Sequence, residues 1–155
     1  MEAKGRQSKE QVEKMAREAV EEARMVLPGI QTLFGFQLIA VFNERFRQLH
    51  ESQQRLHFLA ILMIAVAIAL IMTPAAYHRM VEPGGVSSFF VRLASRLIAL
   101  AMVPLMVALC VEVYILATVV FSDHFTSVAL GLSLFAVFAG LWLVLPAVMI
   151  ARNRS

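Results

Sequence analysis

Three stretches of this chain, residues 56–77, 97–121 and 128–151, are almost unbroken apolar sequence, interrupted only by His57 and Thr73, by Glu112 and Thr118, and by Ser133. Each exceeds the roughly 20 residues a helix needs to cross the hydrocarbon core of a bilayer. A chain of 155 residues with three such runs has little left to cover a water-soluble core. Its 16% charged residues fall well below the about 25% of ordinary soluble domains. The expectation is an all-α polytopic membrane protein without a separate soluble domain.

A fourth stretch, residues 27–42, is weaker. At 1.5 Å per residue it covers about 24 Å, and it carries Gln31, Thr32 and Gln37, with Asn43 and Glu44 just beyond. Continued through Phe46 it gives a first span over 27–46, with its polar residues shielded from lipid by neighbouring helices. The sequence therefore predicts four spans, about 27–46, 56–77, 97–121 and 128–151, forming a membrane domain over 27–155. Residues 81–88, with Pro83, Gly84 and Gly85, form a turn that divides the spans into two pairs.

The preceding arm, residues 1–26, is charged throughout and lacks the apolar core of a cleavable signal peptide. Ser8, followed three residues later by Gln11, reads as a helix N-cap with its partner. Val12, Ala16, Ala19, Ala23 and Val26 then recur at helical spacing, while Glu10 with Lys14 and Glu13 with Arg17 stand as supporting pairs. This predicts an amphipathic cytoplasmic helix, its narrow stripe lying on a neighbouring subunit or forming the ordinary face of a juxtamembrane helix. Pro28 is expected to interrupt and bend the helix at the membrane boundary.

The net charge of +3 and pI near 9.5 do not point to nucleic acid, because the basic residues are short clusters flanking apolar runs. Eleven fall on one side: Lys4, Arg6, Lys9, Lys14, Arg17 and Arg24 in the arm, Arg79, Arg92 and Arg96 in the middle loop, Arg152 and Arg154 in the tail. Arg45, Arg47 and Arg55 lie on the other, and the turn at 122–127 holds none. Positive charge is retained inside, so both termini are expected in the cytoplasm, with the protein in a bacterial plasma membrane.

Glu112 is the strongest chemical signal, since an ionisable group inside a membrane run is costly unless paired, protonated or wetted. Fifteen residues from Leu97, about 22 Å along the helix, it shares a depth with the stretch between Gln37 and Asn43. It either accepts a hydrogen bond from an amide of the first span or takes part directly in ion or proton passage. The first span, with Gly29 and Gly35 permitting close approach, is the candidate path-lining or interface helix. Gln31 and Gly35 share one face and Gln37 and Glu44 another; the amides either bond between helices or line a path.

His78, within Tyr77-His78-Arg79, anchors the inner interface or senses pH. His50, His57 and His124 have no Cys or carboxylate at metal-ligand spacing. Ala129, Ser133, Ala136 and Gly140 give the last span a small-residue face suited to packing. Cys110, the single cysteine, forms no intramolecular disulfide. No nucleophile with a neighbouring base, phosphate loop or zincin helix is present, so no enzyme, metal or cofactor is expected.

The segments Glu22-Ala-Arg-Met-Val-Leu-Pro-Gly-Ile-Gln31, Gly35-Phe-Gln-Leu-Ile-Ala40 and Pro74-Ala-Ala-Tyr-His-Arg79 resemble a family of small uncharacterised bacterial membrane proteins that sometimes carry a sodium–proton antiporter label. Gly35 to Asn43, and Val111-Glu112-Val113, are similar to the pore helix and third-helix acidic site of Orai-type calcium-release-activated channel subunits. That resemblance implies four spans, both termini inside and a pore lined by the first helix, with Asn43 at the selectivity position and Glu44 beside it.

These readings converge on a homo-oligomeric, cation-conducting channel subunit with the first span lining the path. The candidate path residues are Gln31, Gly35, Gln37, Asn43, Glu44 and Glu112. The alternatives are a cation/proton antiporter working through Glu112 and a non-conducting membrane scaffold. The expected partners are the lipid bilayer, inorganic cations and further copies of the chain.

Overall fold

The computed structural model describes residues 2–82, 85–121 and 123–153, with side chains from residue 9 onward. Pro83 and Gly84 of the expected turn, Ser122 and Arg154 lie outside the described residues, as do the side chains of Lys4 and Arg6. The described chain is helical apart from short connections: α1 (Glu2–Ala40), α2 (Glu44–Arg47), α3 (Glu51–Val81), α4 (Ser88–Phe121) and α5 (His124–Ala139). A π-helical turn (Gly140–Val144) then leads into α6 (Leu145–Arg152).

Three helical rods are long and apolar enough to cross a membrane: Glu51–Val81, Ser88–Phe121 and His124–Arg152. They contain the three long apolar runs and extend beyond them, so the protein is membrane-embedded. The first expected span differs. Its helix stops at Ala40, the chain turns through residues 41–43, and Asn43 caps the separate short helix α2 by accepting the backbone N–H of Arg45. Asn43 and neighbouring Glu44 compete for the backbone as turn and cap residues do, which ends the helix six residues before the expected boundary.

α1 also starts earlier than expected, at Glu2, so Ser8 lies within the helix and does not open it. Nor does Pro28 interrupt it: α1 runs through the proline as one helix, and Thr32 Oγ1 donates to the Pro28 carbonyl at 2.9 Å. Arm and first apolar stretch are thus one rod of 39 residues, about 58 Å long. Its stripe covers residues of the same chain. Ala16, Ala19, Ile30 and Gln37 are buried and Val12, Ala23 and Leu27 partly so, whereas Val26 is exposed. Seen along the helix, the buried positions repeat at steps of three and four from the arm to Gln37.

α3 and α4 form the central hairpin, and α1 lies in the groove between them, antiparallel to α3. The seam consists of Ile30, Ala60, Ile64, Ala67, Ile71, Ala101 and Ala108. Its alanines let helix backbones approach closely, which suits association inside lipid, where burying apolar surface gives little driving force. On α3 the buried positions 57, 60, 64, 67 and 71 make one face, while Phe58, Leu62, Val66 and Met72 face outward.

The last rod touches the bundle mainly near its start. Ser127 and Gly131 are buried, and a Cβ on Gly131 would stand 3.3 Å from Tyr114 Cβ, so only glycine fits this crossing without movement. Within the chain a different face does the packing, and Ala129, Ser133 and Ala136 are exposed. Close approach to α4 selects the 127 and 131 positions, where the α4 backbone at Cys110 also comes near. Further along, the π turn precedes Pro146, whose ring would collide with the carbonyl four residues back in a regular helix; widening the turn gives it room.

Candidate functional site

At the end of the bundle formed by the α1–α3 connection, three helices bring one polar side chain each to a common point. Gln37, His57 and Glu112 lie about 5, 9 and 14 Å, respectively, from the nearest ends of α1, α3 and α4 at 1.5 Å per residue. Gln37 continues the buried stripe of α1, and His57 opens the buried face of α3. Glu112 lies on α4 one turn beyond Ala108, which is part of the apolar seam.

His57 is only 4% exposed, and both ring nitrogens are engaged. Nδ1 lies 3.1 Å from Glu112 Oε2, with Oε1 closer at 2.9 Å but outside hydrogen-bonding alignment. On the other side Nε2 lies 3.1 Å from the main-chain oxygen of Gln37. A carbonyl can only accept, so Nε2 must carry a hydrogen. The Nδ1 contact then needs one more proton, held either by the ring or by the carboxyl. The same geometry serves a neutral His57 beside a neutral Glu112 and a charged pair, one proton shift apart. Without that proton, a ring lone pair would face a carboxylate at hydrogen-bond distance. Deprotonation therefore carries a built-in pressure to rearrange.

The Gln37 amide stands next to the Glu112 carboxyl. It is 5% exposed, yet neither its nitrogen nor its oxygen has a hydrogen-bond partner, and Glu112 Oε1 is likewise without one. Buried polar groups left open in this way are uncommon. Phe46 of α2 packs against the His57 ring in a tilted arrangement, ring centroids 5.1 Å apart. Gln54 Nε2 holds α2 in place by donating to the carbonyls of Phe46 and Leu49 at 3.3 and 3.0 Å. A cleft of about 420 Å³, lined in part by Val41, Phe46, Gln54 and His57, reaches the histidine from this end.

Of the sequence-derived candidates, Gln37 and Glu112 come together. Gln31 lies on an exposed face of α1, Gly35 is half-buried with open space where a Cβ would be, and Asn43 and Glu44 belong to the exposed α2 cap. His78 is at the other end of α3, about 31 Å along the helix from His57. There it tilts against Phe90 at 5.3 Å, and Tyr77 stacks on the same ring. Nearby, the Ser87 hydroxyl and N–H both donate to Glu82 and hold its carboxyl below the usual range.

Sequence reasoning set His57 aside for want of a partner at metal-ligand spacing. The structure supplies that partner as Glu112, 55 positions away. The signal was present in the histidine being one of two polar interruptions of residues 56–77. Among the described residues, no three of His, Cys, Asp and Glu gather so as to hold a metal ion.

Residues 5–146 match the model of a family of unknown function, DUF6328. The chain belongs to that family. The matched region takes in Gln37, His57 and Glu112 and ends at Pro146, just past the π turn. No curated protein and no solved structure matches the chain.

Proposed function

We propose that this member of the family moves protons across a bacterial plasma membrane, in exchange with a cation, through the His57–Glu112 pair. The observation that carries this reading is a histidine and a carboxyl hydrogen-bonded to each other inside a membrane-embedded bundle. Ionisable groups at such positions mark ion and proton paths, and this pair can hold a proton in either of two forms. The cleft at Phe46 supplies a route to one side.

In this reading the apolar part of α1 is a first, short span beside three long ones, and both termini are cytoplasmic. Ile30 in the common seam supports the former and the eleven-to-three distribution of basic residues the latter. His57 receives the proton, Glu112 shares it, and loss of the shared proton drives the pair apart, opening the carboxylate to the other side or to a competing cation.

The test is proton flux into liposomes holding a pH-sensitive dye, with and without a sodium or potassium gradient. Glu112→Gln and His57→Gln should each lower flux at least tenfold while the protein keeps its helical spectrum. Unchanged flux in both variants would overturn the proposal.

A second reading, a homo-oligomeric cation channel lined by α1, is favoured by Gln31, an amide exposed on the apolar stretch of α1. It requires several copies and unitary currents in planar bilayers. A monomeric mass in nanodiscs together with gradient-driven exchange would exclude it.

A further inference from the structure

At the end of the bundle remote from His57, α1 lies beside His78, Gly85, Val86 and Phe90 and leaves a cleft of about 380 Å³. This is within the roughly 300–1,000 Å³ of small-ligand sites. Its floor is apolar, with Ala16, Val20 and Phe90, and His78 stands at its edge. Along its α1 wall the charges alternate: Glu13, Arg17, Glu21, Arg24. Each is three or four residues from the next, close enough to pair, yet none forms an ion pair among the described residues. His78 Nδ1 is also shielded from water and has no partner.

The height of the cleft limits its occupant. The apolar part of α1 begins at Leu27, one turn beyond Arg24, and the apolar run of α3 ends at Tyr77, beside His78. Tyr77, Phe89 and Phe90 cluster there as aromatic rings do at a membrane interface. A site at this level, with an apolar floor and both signs of charge on one wall, suits an amphiphile whose headgroup carries both signs. A purely anionic headgroup would meet Glu13 and Glu21, and a free inorganic anion would leave the apolar floor unused.

We propose that this cleft binds the headgroup of a zwitterionic phospholipid, with Arg17 and Arg24 holding the phosphate and Glu13 and Glu21 holding a primary ammonium, as in phosphatidylethanolamine. Guanidinium groups match phosphate oxygens in forked geometry, and a primary ammonium offers three donors to the carboxylates. The lipid's acyl chains would run from Val20 along the outward apolar surface of the bundle. The site depends on membrane embedding and is independent of proton movement through His57.

Native mass spectrometry of the delipidated protein, titrated separately with phosphatidylethanolamine, phosphatidylglycerol, phosphatidylcholine and inorganic phosphate, tests the assignment. Phosphatidylethanolamine should be retained most strongly. Arg17→Gln with Arg24→Gln should weaken it about thirtyfold, and Arg17→Lys with Arg24→Lys should restore most of the loss. Glu13→Gln with Glu21→Gln should erase its advantage over phosphatidylglycerol. All four positions are exposed, so these variants should keep their helical spectra. Equal retention of the three lipids, preference for phosphatidylglycerol in the unmodified protein, or displacement of lipid by inorganic phosphate would each overturn the proposal.

Discussion

His57 Nδ1 and Glu112 Oε2 stand 3.1 Å apart across the α3–α4 interface, while the far side of the same ring touches the α1 backbone at Gln37. One imidazole thus ties three helices together, and the tie depends on where its protons are. The pair is accordingly a fastening among three helices.

The fastening can be measured apart from any transport. Glu112→Leu leaves His57 without its partner and should destabilise the protein by about 2–3 kcal/mol, toward the low end of the effect of breaking a buried pair because Glu112 is partly exposed. His57→Leu should have a similar effect. The double variant should lose less than the sum, since neither polar group is then orphaned. Thermal or denaturant unfolding in one detergent reads the coupling, and strict additivity would show that the two do not interact.

At the α4–α5 crossing, Gly131→Ala should destabilise by about 1 kcal/mol and Gly131→Leu by more, because the added carbons meet Tyr114 and the Cys110 carbonyl. Ala136→Leu should leave the stability of the isolated chain unchanged, its site being exposed. Loss of a larger assembly in Ala136→Leu alone would place that face between copies of the chain.

Acid should loosen the α3–α4 connection. Glu82 is held below its ordinary pKa of 4.5 by Ser87, so its ionised form favours the folded loop. That contribution is complete above about pH 4.5 and is lost as pH falls through the lower folded value. Protection of the Ser87 and Phe90 amides against hydrogen exchange, taken relative to their intrinsic rates at each pH, should fall over that interval in the unmodified protein, the Phe90 amide being bonded to Ser87 Oγ. In Glu82→Gln that protection should be low and far less dependent on pH.

Orientation has its own test. A cysteine at Ser122 in a Cys110→Ala background should react with membrane-impermeant thiol reagents added outside cells, and one at Ser87 should not. The opposite pattern would invert the assignment of sides.

The three long rods could be read from the sequence because twenty apolar residues have few alternatives in lipid. α1 was harder. A proline and a change from charged to apolar composition suggested a boundary at residue 28, but the buried stripe runs through it, since packing on α3 and α4 sustains a helix that local preference would divide. The end at Ala40 had a signal in Asn43 as a cap, but Phe46 argued for continuation by hydropathy alone. Glu112 stood out as a lone acid among apolar residues, whereas its partner stayed hidden. Pairing of residues 57 and 112 depends on how two helices are rotated about their axes, and two nearly uniform apolar surfaces do not specify that rotation. The stretch around Gly131 posed the same difficulty: the sequence pointed to the face of Ala129, Ser133 and Ala136, whereas Ser127 and Gly131 are the positions buried against α4.

The π-helical turn at Gly140–Val144 holds, in effect, one residue more than the α-helix it interrupts. Everything after it is rotated by about 100° relative to an uninterrupted helix, so Ala147 and Ala151 do not prolong the line of Ala136 and Gly140. The chain can therefore lose a residue in this turn and close the gap by reverting to α-helix, with the final two turns keeping both their azimuth and their depth. Most single deletions in a membrane helix shift every downstream residue along the bilayer normal. Here the slack is already stored, and one residue can be removed while the end of the protein keeps its place.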